Sequence, residues 1–131
     1  MLSPAQIVEI AYDLSRSQTL LRLFHWLGTN TYSMHTVVGN LYTVLDQKVD
    51  TIIEIIGAKT TPEQTQTVGQ DSRKFWVIPE TGIHDFLHEY SQILKGMSSK
   101  YGDVFTESYL QNIIDEMVGE IEHSIGLLKY K

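Results

Sequence analysis

The chain has no cysteine and only three prolines. Without thiols there is no disulfide framework, no zinc ribbon and no cysteine nucleophile. Positive charge is also scarce. Ten Lys+Arg stand against sixteen Asp+Glu, a formal net charge of -6, which argues against nucleic acid as a partner. No apolar run approaches the roughly 20 residues that span a bilayer, so no membrane partner is expected. The opening MLSPAQIVEI lacks a basic stretch followed by an apolar block, so no secretory signal is read there and a cytoplasmic location is expected. What remains is a chain of 131 residues, 42% hydrophobic. That suffices for one core, and residues 1–131 are read as a single domain.

Helical signals dominate and no strand run stands out. Ser3, Pro4 and Gln6 form an N-cap, an N1 proline and a capping box. Ile7, Ala11, Leu14, Leu21 and His25 follow as one stripe, so the first helix is predicted over 4–28. Residues 28–32 (GTNTY) read as a turn. The second helix is predicted over 33–56. Its apolar residues fall on two sides: Val38, Tyr42, Val49 and Ile53, then Leu41, Leu45, Ile52 and Ile55. Two apolar faces suit two partners, the chain's own bundle and a second subunit. Residues 57–79 break the pattern, although Thr61, Pro62, Glu63 and Gln64 could cap a short helix. A third helix is predicted over 81–99 and a fourth, capped by Thr106, over 107–129, with a stop at Tyr101-Gly102-Asp103.

Connection lengths then suggest a topology. Short turns make helices one and two antiparallel, and likewise three and four. Residues 57–79, if extended, could span about 75 Å. A helix of 25 residues is about 37 Å long. The fold expected is therefore all-α: a ferritin-like four-helix bundle with one long crossover between helices two and three.

The chemistry concentrates on helix two. With His35 at 0° and 100° per residue, Asp46 lies near 20°, Asp50 near 60° and Glu54 near 100°. They share a face that is otherwise apolar, and a core-facing carboxylate needs a partner such as a metal ion. His35 and Asp50 are about 22 Å apart along one helix, too far to share an ion. Two copies of helix two packed antiparallel, with a two-fold axis near Tyr42 to Leu45, would bring His35 level with Asp50 or Glu54 of the mate. His25 joins from the end of helix one. The expected half-site is His25 and His35 from one subunit with Asp50 and Glu54 from the other. Two imidazoles and two carboxylates suit Fe(II), Mn or Zn.

These residues carry a resemblance. Phe24-His25-Trp26, His35 and Asp50-x-x-x-Glu54 resemble the Dps family of miniferritins. The likeness covers most of residues 7–56 and, more weakly, 80–130. It implies a two-fold dimer through helix two within a hollow, dodecameric shell. It also implies a mono- or di-iron inter-subunit site that oxidises Fe(II) with peroxide or dioxygen, and iron storage inside. His25, His35, Asp50 and Glu54 would be both metal ligands and catalytic residues, Trp26 would lie beside the iron, and Asp46 would serve as an outer ligand.

Three departures accompany it. Gly39 stands where the family places an Asp, the spacing between the histidines is two residues shorter, and there is no Lys-rich N-terminal arm. A second reading follows from Gly39: a ferritin-like binding or scaffold protein without ferroxidase activity.

Plainer roles also fit these residues. The histidines could be hydrogen-bonded residues at a turn, Asp50 and Glu54 could pair with Lys48 or Lys59, and Trp26 could pack in the core. Glu120-x-x-His123 lacks the second such motif that an intra-subunit di-iron site needs, so it reads as surface or structural. His84 and His88, one turn apart, could chelate adventitiously but read as solvent-facing, because Phe86, Leu87 and Tyr90 take the inward side.

Overall fold

In the computed structural model, residues 3–57, 79–102, 105 and 108–129 are described. Among them there is no strand. Four long helices, α1 (Pro4–Leu27), α2 (Tyr32–Gly57), α3 (Gly82–Lys95) and α5 (Ser108–Leu128), are joined by a short α4 (Met97–Tyr101). None is long and apolar enough to cross a membrane.

Local sequence explains most of the boundaries. The Ser3 hydroxyl accepts from the Gln6 amide at 3.2 Å, and the Gln6 side chain accepts from the Ser3 amide at 2.9 Å. Two otherwise unmet donors are thereby satisfied at the start of α1. Its last turn closes with the Gly28 amide donating to the Phe24 carbonyl. α2 begins just before the expected start, because Thr31 Oγ1 accepts from the Met34 amide at 3.1 Å and serves as the N-cap.

The expected third helix over 81–99 is interrupted. Gly96 closes α3 and opens α4. Gly102, at φ 75, then turns the chain out of α4, a conformation glycine adopts without steric cost. The expected caps at Thr61 and Thr106, the residue Asp103, and nearly all of the 57–79 connection lie outside the described residues.

The four long helices pack in a ring: α1 on α2, α2 on α5, α5 on α3, α3 on α1. One core fills it, with Leu14, Leu21, Leu45, Ile52, Leu87 and Tyr90 completely buried. Burying each such side chain favours folding by roughly 1.5–3 kcal/mol.

Contacts between helices fix their directions. Along α1, Glu9 meets Lys100, Arg16 meets Glu89 and Phe24 meets Phe86. Rising numbers meet falling ones, so α1 is antiparallel to α3 and α4. Gln18 meets Asp46 while His25 meets His35, so α1 is antiparallel to α2 as well. Lys48 pairs with Glu116, while Leu41 and Val44 flank Glu120 and His123. Hence α2 is antiparallel to α5, and α2 and α3 run the same way. The C-terminal end of α2 lies beside the first half of α1, and the N-terminal end of α3 beside its last turn.

Candidate metal centre

The α1–α2 turn brings His25 and His35 face to face. Their rings stack at 4.0 Å between centroids, tilted by 23°. Each ring reaches across to the other's backbone. His25 Nδ1 lies 3.1 Å from the His35 carbonyl oxygen, and His35 Nδ1 lies 2.8 Å from that of His25. A carbonyl oxygen can only accept, so each Nδ1 carries the hydrogen. In the neutral form of such a ring the lone pair is on Nε2, the atom a metal would use. Backbone carbonyls commonly orient metal-binding imidazoles in this way.

Gly39 makes the stack possible. A Cβ at this position would lie 2.5 Å from His25 Cε1 and 2.8 Å from its Nδ1. The His25 ring therefore lies against bare backbone of α2 and fills the space a side chain would need. Tyr32 extends the aromatic surface, its ring 6.4 Å from that of His35.

The acids lie further along α2. Asp46, Asp50 and Glu54 line a groove of about 380 Å³ between α1 and α2, with Val49 and Ile53 between them and Ser15, Thr19 and Arg22 opposite. The expectation of a core-facing position is corrected here. Asp50 and Glu54 are exposed and Asp46 half-buried, because the buried face of α2 is taken by Leu41, Leu45, Ile52 and Ile56. Nor do Asp50 and Glu54 pair with Lys48, which is held by Glu116 at 2.6 Å. Lys59 lies outside the described residues.

Behind the groove sits a polar relay that sequence reasoning missed. The Tyr90 hydroxyl, in the core, donates to Gln18 Oε1 at 2.9 Å. The Gln18 amide donates at 3.3 Å both to Asp46 Oδ1 and to the Tyr42 carbonyl. One buried glutamine thus joins α1, α2 and α3. Burial, reinforced by the Asp46 charge, pushes the Tyr90 hydroxyl well above its usual range, so it remains a donor. A signal was present: Gln18 interrupts the apolar stripe between Leu14 and Leu21.

Arg22 is a second missed residue. Its guanidinium meets the Tyr42 hydroxyl and lies over two rings, 5.0 Å from the Tyr42 centroid and 5.5 Å from that of Trp26. Trp26 is 52% exposed, so it is not a core residue. It lies beside the histidines at the end of α1 with about half of its surface open to solvent.

Within one chain the predicted site residues thus divide into two groups: His25, His35 and Trp26 at the turn, and Asp46, Asp50 and Glu54 along the groove. Among the described residues, no three His, Asp or Glu side chains gather closely enough to hold a metal ion. His84, His88 and His123 are exposed and Glu120 is half-buried at the surface. No family model, no curated protein and no solved structure matches this chain.

Proposed function

We propose that this chain is a Dps-like miniferritin, with Fe(II) and peroxide or dioxygen as substrates and a second copy of itself as the partner that completes each site. The observation that carries the reading is the reciprocal histidine pair. Two Nε2 lone pairs are set in place by packing within one subunit, while the carboxylates on the same helix stand open to solvent. Nitrogen donors at one end of a helix and oxygen donors at the other are what an antiparallel two-fold pairing would combine.

Helix directions support a ferritin-like bundle. Because α2 and α3 run parallel, the end of α2 and the start of α3 lie at opposite ends of the bundle, an arrangement that one long crossover would suit. Trp26 stands at the rim of the turn, where a mate's α2 would meet it. The mechanism proposed is capture of Fe(II) at the seam by His25, His35, Asp50 and Glu54. Two electrons from two Fe(II) ions, with two protons from solvent, reduce one hydrogen peroxide to two waters, and the ferric product passes to an acidic interior. Asp46, held by Gln18, is the outer carboxylate. Net charge -6 disfavours DNA as a further partner, and a dodecameric shell in the cytoplasm completes the proposal.

The test is Fe(II) with peroxide, followed by ferric absorbance. Wild type should oxidise iron well above the buffer rate, and Asp50→Ala with Glu54→Ala should return it to that rate. Wild type no faster than buffer would defeat the reading. A specific observation favours a second reading, a ferritin-like scaffold without ferroxidase activity. Gly39 supplies no carboxylate, and the His25 ring already covers its backbone. Iron content after soaking in Fe(II) separates the two: a scaffold would retain none.

A further inference from the structure

Besides the two groups described above, α3 carries a separate pair of nitrogen ligands. His84 and His88 are one turn apart and both exposed. The inward positions around them are filled by Ile83, Phe86, Leu87 and Tyr90, all buried. Residues four apart on a helix stand about 5–6 Å apart at Cβ, so both side chains leave the same stripe on successive turns. Phe86 and Leu87 sit between them in sequence and are 2% and 0% exposed, so the backbone carrying both rings is pinned to the core. Among the described residues, no hydrogen-bond or ion-pair partner engages either ring.

We propose that His84 and His88 bind one divalent transition-metal ion of the Cu(II), Ni(II) and Zn(II) class at the outer surface of α3. Two imidazoles at i and i+4 on one helix face form a two-point chelate. The helix fixes their spacing before the ion arrives, which reduces the ordering cost of binding. No third His, Asp or Glu completes the group among the described residues, so water fills the remaining positions. A nitrogen-donor, water-completed site follows the usual divalent order, with Cu(II) held most tightly and Fe(II) weakly. Its metal preference therefore differs from that proposed for the seam. The start of a helix is partly positive and opposes a cation. Asp85, in the first turn of α3, offsets this, while Glu89 is turned toward Arg16 at 3.7 Å.

Titration of the whole protein with Cu(II) and with Zn(II), at neutral pH, tests the site. His84→Ala with His88→Ala should remove one equivalent of metal per chain, and either single change should weaken that equivalent at least tenfold. Both residues are exposed, so helix content by circular dichroism should stay unchanged. His25→Ala with His35→Ala should leave this equivalent in place, which separates it from the seam whatever becomes of iron oxidation. Equal stoichiometry and affinity in wild type and the His84/His88 double variant would overturn the proposal. Loss of the same equivalent in the His25/His35 variant would assign it to the turn and overturn it equally.

Discussion

The two groups of candidate ligands are built in opposite ways. At the turn, both histidine rings are packed on each other, both Nδ1 atoms are bonded to backbone, and a glycine has been cleared to admit them. Along the groove, Asp50 and Glu54 are exposed on an open wall, and only Asp46 is held, by Gln18. The first region is finished by the chain itself. The second lies between α1 and α2 and leaves Asp50 and Glu54 open to solvent. Half-buried imidazole rings can stack at modest cost, whereas ionised carboxylates stay in water unless a cation or donor meets them.

The largest break of this contrast is expected at the relay that anchors the groove. Gln18→Leu removes the acceptor of the buried Tyr90 hydroxyl and the donor to Asp46. An unsatisfied buried hydroxyl costs about 1–3 kcal/mol, so urea denaturation should show a loss in that range. Adding Tyr90→Phe should recover part of it. By contrast, Asp50→Asn and Glu54→Gln should each change stability by less than about 0.5 kcal/mol, as exposed substitutions do.

Next in size is Gly39→Ala. Alanine favours a helix by up to about 1 kcal/mol over glycine, but its Cβ would meet the His25 ring at 2.5 Å. Overpacking of this kind costs about 1–3 kcal/mol, so a net loss of about 1 kcal/mol is expected in the same denaturation measurement. In a His25→Ala background the same change should become stabilising. A gain in both backgrounds would mean that the ring yields freely and the turn is less finished than its geometry implies.

The smallest effect sharpens the comparison from the other side of α1. Burial raises the Asp13 carboxyl above its ordinary value, against the lowering effect of Lys100. A raised acid binds protons more tightly when folded than unfolded. Its contribution to stability therefore falls as pH rises through the carboxylate range. Asp13→Asn should gain on wild type above that range and lose the advantage below it, as measured by Tm against pH. This is how an acid behaves when the cost of burial outweighs its favourable neighbours.

Much of the secondary structure was legible. Ser3, Pro4 and Gln6 announced the start of α1, and apolar spacing gave α2 and α5 nearly to the residue, because caps and periodicity are local. Gly96 was not read as a break, since a lone glycine within a helical pattern is often tolerated. The site was legible only in part. Angular arithmetic put Asp46, Asp50 and Glu54 on one face of α2, and they share one groove wall. It could not tell that the face borders solvent, because that depends on which side of α2 the neighbouring helices occupy. The role of Gly39 was likewise hidden, since the clash it avoids is with a residue from another helix.

Sequence by itself determined the helical elements, the ends of the first two, and the placing of two histidines about a turn and three acids on one helix face. Those follow from caps, period and charge, which act within a few residues. Tertiary structure alone decided that the two imidazoles stack and bond each other's backbone, that Gly39 is the space they need, and that Gln18 ties Tyr90 to Asp46. Each of these joins residues from different helices, and only packing sets their distances.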